Sequence, residues 1–91
     1  MKRTIWKYDL DVTDEQIIEV PEGASLLSVD TQDGLPKLWM AVCPEEKKRS
    51  VRVAIVGTGN PLWCDGWIYA GTFKMRQDAL VFHVFVEKVI I

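Results

Sequence analysis

About seven short apolar or alternating segments follow one another along this chain with only turn residues between them, and none carries a helical period. That pattern restricts the fold more than any other feature. Side chains that alternate with a period of two lie in rows on opposite faces of an extended strand, so one row can be buried while the other stays wet. In the opening segment, about residues 3–10, Trp6, Tyr8 and Leu10 form one row and Ile5, Lys7 and Asp9 the other. Leu38, Met40 and Val42 alternate with Trp39, Ala41 and Cys43; Val51, Val53 and Ile55 alternate with Arg52, Ala54 and Val56. Pro21-Glu22-Gly23, Gln32-Asp33-Gly34 and Arg76-Gln77-Asp78 are turn chemistry. Thr13-Asp14-Glu15-Gln16 also reads as a helix N-cap, but Pro21 follows too closely for a useful helix, so Gln16, Ile18 and Val20 are assigned to a strand. In the last segment, about 79–89, both rows are largely apolar, which marks a central strand or one covered by a partner. The chain is therefore expected to be all-β. It forms one small antiparallel domain over residues 1–91, a barrel or sandwich of about seven meandering strands.

Composition narrows the function classes. With 48% hydrophobic residues and four Trp, the chain has the material for a compact core. A domain of 91 residues still buries only about two-thirds of its unfolded surface, so pairing with a second copy would help it. The tail Val89-Ile90-Ile91 points the same way, since it either extends the last strand or packs on another subunit; a homo-oligomer is expected. A net charge of −2 argues against generic nucleic-acid binding, which needs a positive field. No apolar stretch has the length of a secretory core or a membrane span, so the expected compartment is the cytoplasm, with Cys43 and Cys64 as reduced thiols. Neither a metal nor another cofactor is expected: His83 is the only histidine, and the two cysteines lack the paired spacing of zinc sites. No convincing nucleophile–base set accompanies His83, so the expectation is a protein that is not an enzyme.

What remains is a set of binding candidates. Trp63 and Trp67 flank the longest connection, and at loop ends such residues either plug the fold or stack on a base, a sugar or a protein. Gly57-Thr58-Gly59-Asn60 lacks the lysine and the following helix of a phosphate loop; it supplies a turn before Pro61, or a nest of backbone amides for an anion. Arg52, Lys74 and Arg76 lie on strands or strand ends, with Lys74 and Arg76 spaced to face the same way. They are ordinary solubilising charge or, if they border the Trp63 loop, phosphate contacts. His83, flanked by Phe82, Val84 and Phe85, is a hydrogen-bonded ring in the sheet or a donor to a ligand oxygen.

Several segments also look like one known family. Lys2-x-x-Ile5-Trp6-Lys7-Tyr8, Pro21-x-Gly23-Ala24-x-x-Leu27-Ser28-Val29, Val56-Gly57-Thr58-Gly59-Asn60-Pro61, Tyr69-x-Gly71-Thr72-Phe73 and Leu80-Val81-Phe82-His83-Val84-Phe85 together resemble small phage and prophage proteins of uncharacterised function. That family usually has His where this chain has Asn60. The resemblance implies a phage origin and a bacterial host cytoplasm, and supplies no activity. Small phage proteins without catalytic machinery frequently act by binding. The expected function is thus an oligomeric accessory protein that sequesters a small anionic host ligand, such as a nucleotide immune signal, in counter-defence. The alternative is a module that binds and inhibits a host protein or joins a phage assembly.

Overall fold

In a computed structural model, which describes residues 2–88, each alternating segment is a strand. The strands are β1 (Thr4–Asp9), β2 (Glu15–Pro21), β3 (Ser25–Gln32), β4 (Leu35–Val42), β5 (Lys48–Gly57), β6 (Ile68–Met75) and β7 (Leu80–Val86). All pairings are antiparallel, in two sheets ordered β1-β4-β3 and β2-β5-β7-β6. The fold is a sandwich of two open sheets and not a closed barrel. The chain does not meander from each strand to its neighbour, either. Only β3–β4 and β6–β7 are adjacent in both sequence and sheet; β1 to β2, β2 to β3 and β4 to β5 change sheets. The tail Val89-Ile90-Ile91 lies outside the described residues.

Alternation explains the core. Leu38, Met40 and Val42 of β4 face Val51, Val53 and Ile55 of β5 and Val84 and Val86 of β7 in one buried cluster with Leu10, Val20 and Phe73. Each such side chain contributes about 1.5–3 kcal/mol by leaving water. Trp6 and Tyr8 close the cluster from β1, and the Tyr8 hydroxyl donates to the Glu19 carbonyl of β2 at 3.1 Å, tying the two sheets together along one side. Gln16 is a strand residue, and its side-chain amide both donates to and accepts from the Asp11 backbone, at 2.8 and 3.0 Å. The turn into β2 is thereby closed by the side chain that resembled a helix cap. On the outer face of the three-stranded sheet, Lys37 is nearly buried and donates to Asp9 at 2.8 Å. That hydrogen bond and the lysine charge hold the Asp9 carboxyl below its usual range.

The opposite side of the sandwich depends on a glycine. The β6–β7 register shifts between Tyr69 and Gly71, and Gly71 has φ 153°. A Cβ there would stand 3.0 Å from Val29 Cβ and 3.4 Å from the Val29 amide nitrogen, so β3 and β6 meet only because this position carries no side chain. Gly71→Ala should destabilise the fold by about 1–3 kcal/mol through backbone strain and the clash with Val29. Thermal unfolding monitored by circular dichroism reads this directly; an unchanged midpoint would mean the two strands separate freely.

Candidate functional site

The candidates gather on the outer face of the four-stranded sheet. Residues 58–67 leave the end of β5 and return to the start of β6 across that face, and they fold onto it because it is apolar in the middle. Cys64 is buried there against Ala54, Val56, Trp67 and Phe85, a small second core beneath the loop. Burial, with the Asp65 charge beside it, pushes the Cys64 thiol up, so it is neutral at pH 7. The Phe85 end of β7's outer row is thus covered in part by the chain itself. Trp67 is half-buried over this second core, whereas Trp63 is 48% exposed. The two rings meet edge to face at 5.3 Å, and the Arg52 guanidinium lies 5.0 Å from the Trp67 ring centre. Plug and surface are therefore divided between the two tryptophans.

Arg52 is paired within the protein. Its guanidinium pairs with Glu15 at 3.1 Å and with Glu87 at 3.2 Å, and Glu87 also accepts the Arg52 backbone amide at 2.6 Å. Two carboxylates offset the one positive charge, so Arg52 braces Trp67 and joins β2, β5 and the end of β7.

A second group forms at the other end of the same face. The Thr58 amide donates to the Val81 carbonyl at 3.1 Å, which places Thr58 beside Val81 and, one strand further, opposite Lys74. The Thr58 hydroxyl lies 3.3 Å from that carbonyl and is hydrogen-bonded to His83 Nε2 at 2.7 Å. His83 Nδ1 is hydrogen-bonded to the Thr72 hydroxyl at 2.9 Å, and Thr72 in turn to the Tyr69 hydroxyl. Both ring nitrogens are engaged within the protein. His83 thereby fastens the Gly57–Asn60 turn to the sheet.

Gly59 has φ 93°, a conformation that side chains resist, and Asn60 bonds back to the Gly57 carbonyl at 3.1 Å. This tight turn is the centre of the concave surface. A cleft of about 260 Å³ runs between it and Leu62, His83 and Phe85. On its other side a cleft of about 240 Å³ is bounded by Asp14, Pro61 and Trp63. A third, of about 390 Å³, runs from the turn to Ala79–Phe82 at the start of β7. Lys74 is exposed on the outer face beside Val81. Arg76 sits beyond the strand, in a turn where Arg76, Gln77 and Asp78 all hold positive φ. Strand alternation does not carry through that turn, so Lys74 and Arg76 do not share a face by spacing alone. Among the described residues neither makes an ion pair or side-chain hydrogen bond. Lys74 lies seven positions beyond Trp67, about 23 Å of extended chain, so it stands at the Gly57–Asn60 end of this face and not at the Trp67 end.

Among the described residues no group of three or more His, Cys, Asp or Glu is placed to hold a metal ion, and no helix is long and apolar enough to cross a membrane. A family model matches residues 1–90, virtually the whole chain. The chain belongs to the domain of unknown function DUF7352. No curated protein and no solved structure matches it. The site of this DUF7352 chain therefore rests on its own geometry. Spacing did not single out Tyr69, Thr72, Leu62 or Phe85 as part of it. The one local hint was Gly71 inside a strand, which marks the bulge that sets Thr72 opposite His83.

Proposed function

We propose that this protein is a non-enzymatic binding module for a small ligand with a flat ring and an anionic group, of the nucleotide class. The observation that carries the reading is the convergence, around one glycine-containing turn, of adjoining clefts and an exposed tryptophan, with Lys74 one strand over from Thr58. A ring enters the clefts on either side of the turn, against Trp63 or over Phe85 and Leu62, and the anionic group meets Lys74, Arg76 and the amides of the turn. Both nitrogens of His83 are engaged by Thr58 and Thr72, so the ring serves as part of the cleft wall in this reading. The likeness to small phage and prophage proteins supports a host cytoplasm as the setting, where holding a nucleotide signal out of reach acts as counter-defence.

Native mass spectrometry of the purified chain with pooled linear and cyclic nucleotides tests this. A retained, unmodified nucleotide is expected. Uptake of none of them, or conversion of one, ends the proposal. A second reading has its own support: Leu62, Trp63 and Tyr69 are all exposed on this one face, as an anchor for a host protein or phage component requires. Capture of one stoichiometric host protein, lost in Trp63→Ala, would favour it.

A further inference from the structure

One edge of the sandwich is left open, and its chemistry selects a partner. Among the described residues β1 pairs only with β4. The Leu10 amide donates to Pro36, which fixes the phase of the ladder: Trp6 and Tyr8 turn their amides and carbonyls toward β4, and Ile5, Lys7 and Asp9 turn theirs outward. No backbone or side-chain partner reaches those outward groups among the described residues. The neighbouring edge is guarded. On β2 the outward groups belong to Glu15, Ile17 and Glu19; the Glu19 carbonyl is capped by Tyr8, two acidic side chains flank Ile17, and Pro21 ends the strand. β1 has neither a proline nor a bulge, and its Lys7 ammonium is drawn away across the sheet to Gln32 at 2.6 Å.

We propose that β1 is a homodimer edge, pairing antiparallel with β1 of a second copy about a two-fold axis. Only registers that set outward residues against outward residues satisfy the backbone, and charge separates the three central ones. Ile5 opposite Ile5 places Arg3 against Lys7. Lys7 opposite Lys7 is a direct like-charge pair. Ile5 opposite Lys7 sets Arg3 against Asp9 twice, lays Ile5, 62% exposed, along the lysine stem, and brings Trp6 opposite Trp6 on the core side. Arg3, which in the single chain donates to Ser25 Oγ at 2.7 Å and to the Ala41 carbonyl at 3.0 Å, is exposed and exchanges these bonds for Asp9 of the second copy. The third register forms. Its product is one continuous six-stranded sheet, β3-β4-β1-β1-β4-β3, with both ligand faces left on the other sheets and open.

The test uses the intact chain. Native mass spectrometry is expected to give a dimer for the wild type and a monomer for Lys7→Pro, whose missing amide faces the open edge and leaves the β1–β4 bonds in place; circular dichroism confirms that the variant is folded. The register is read by oxidation in a Cys43→Ser background. A mixture of Ile5→Cys and Lys7→Cys chains crosslinks, because directly opposed residues have Cα atoms about 5.5 Å apart, within disulfide reach. Each variant alone gives no crosslinked dimer. A wild-type monomer, a dimer that survives Lys7→Pro, or crosslinking of either single variant overturns the proposal as stated. None of these outcomes depends on whether a nucleotide binds.

Discussion

Phe73→Ala should cost about 3–5 kcal/mol of stability, the largest effect of any single side-chain truncation considered for this fold. Phe73 is 2% exposed, stacks on Phe82 at 5.3 Å and belongs to the main core, on a strand at the edge of its sheet. Truncation removes the ring from the cluster and leaves Phe82 without its stacking partner, while the bulge and Gly71 hold β6 too close to β3 for the gap to collapse. Domains of this size have about 5–14 kcal/mol of total stability, so the variant should sit near the limit of folding at 37 °C. Urea unfolding at 25 °C gives the change directly from the midpoint at constant slope. A loss below about 1 kcal/mol would mean that the space under β6 is not tightly packed.

The contrast between what could and could not be read in advance follows the range of each interaction. Which row of β5 or β4 faces inward is a local property of a two-residue period, and Val51, Val53 and Ile55 are buried as alternation requires. Strand order is not local. Nothing near Trp6 announces that it lies opposite Met40 instead of beside β2, so two sheets with crossing connections were indistinguishable from a barrel. β7 shows the same division. Its two apolar rows marked a central strand or one covered by a partner, and it is central; over Phe85 the cover is Cys64 and Trp67 of its own chain, brought there by a loop whose path no periodicity encodes. His83 was legible as a hydrogen-bonded ring. Its partners were not, because Thr72 comes opposite it only after the bulge, and Thr58 nears it only because β5 ends at Gly57 opposite Phe82, which leaves Thr58 beside Val81. Arg52 shows how charge misleads when register is unknown: a lone arginine on an outer face reads as available until Glu15 and Glu87 are seen to converge on it.

The two tryptophans should separate stability from binding. Trp67→Ala removes a half-buried ring that roofs Cys64, supports the edge of Trp63 and carries the Arg52 guanidinium. It should cost about 2–3 kcal/mol in urea unfolding, since the site is only partly buried, and it should expose the Cys64 thiol to a neutral disulfide reagent. Trp63→Ala removes a ring whose outer surface is already in water, so its stability cost should stay below about 1 kcal/mol. Its cost in nucleotide affinity should be about 1–3 kcal/mol, the worth of one stacked base. Isothermal titration with whichever nucleotide is retained measures the second quantity, and the unfolding curve the first. If Trp63→Ala binds as tightly as the wild type, the ring of the ligand does not lie against Trp63, and the Phe85–Leu62 cleft is left as its place. If instead Trp63→Ala loses as much stability as Trp67→Ala, both rings are structural, and the exposed edge of Trp63 is the outer surface of a plug.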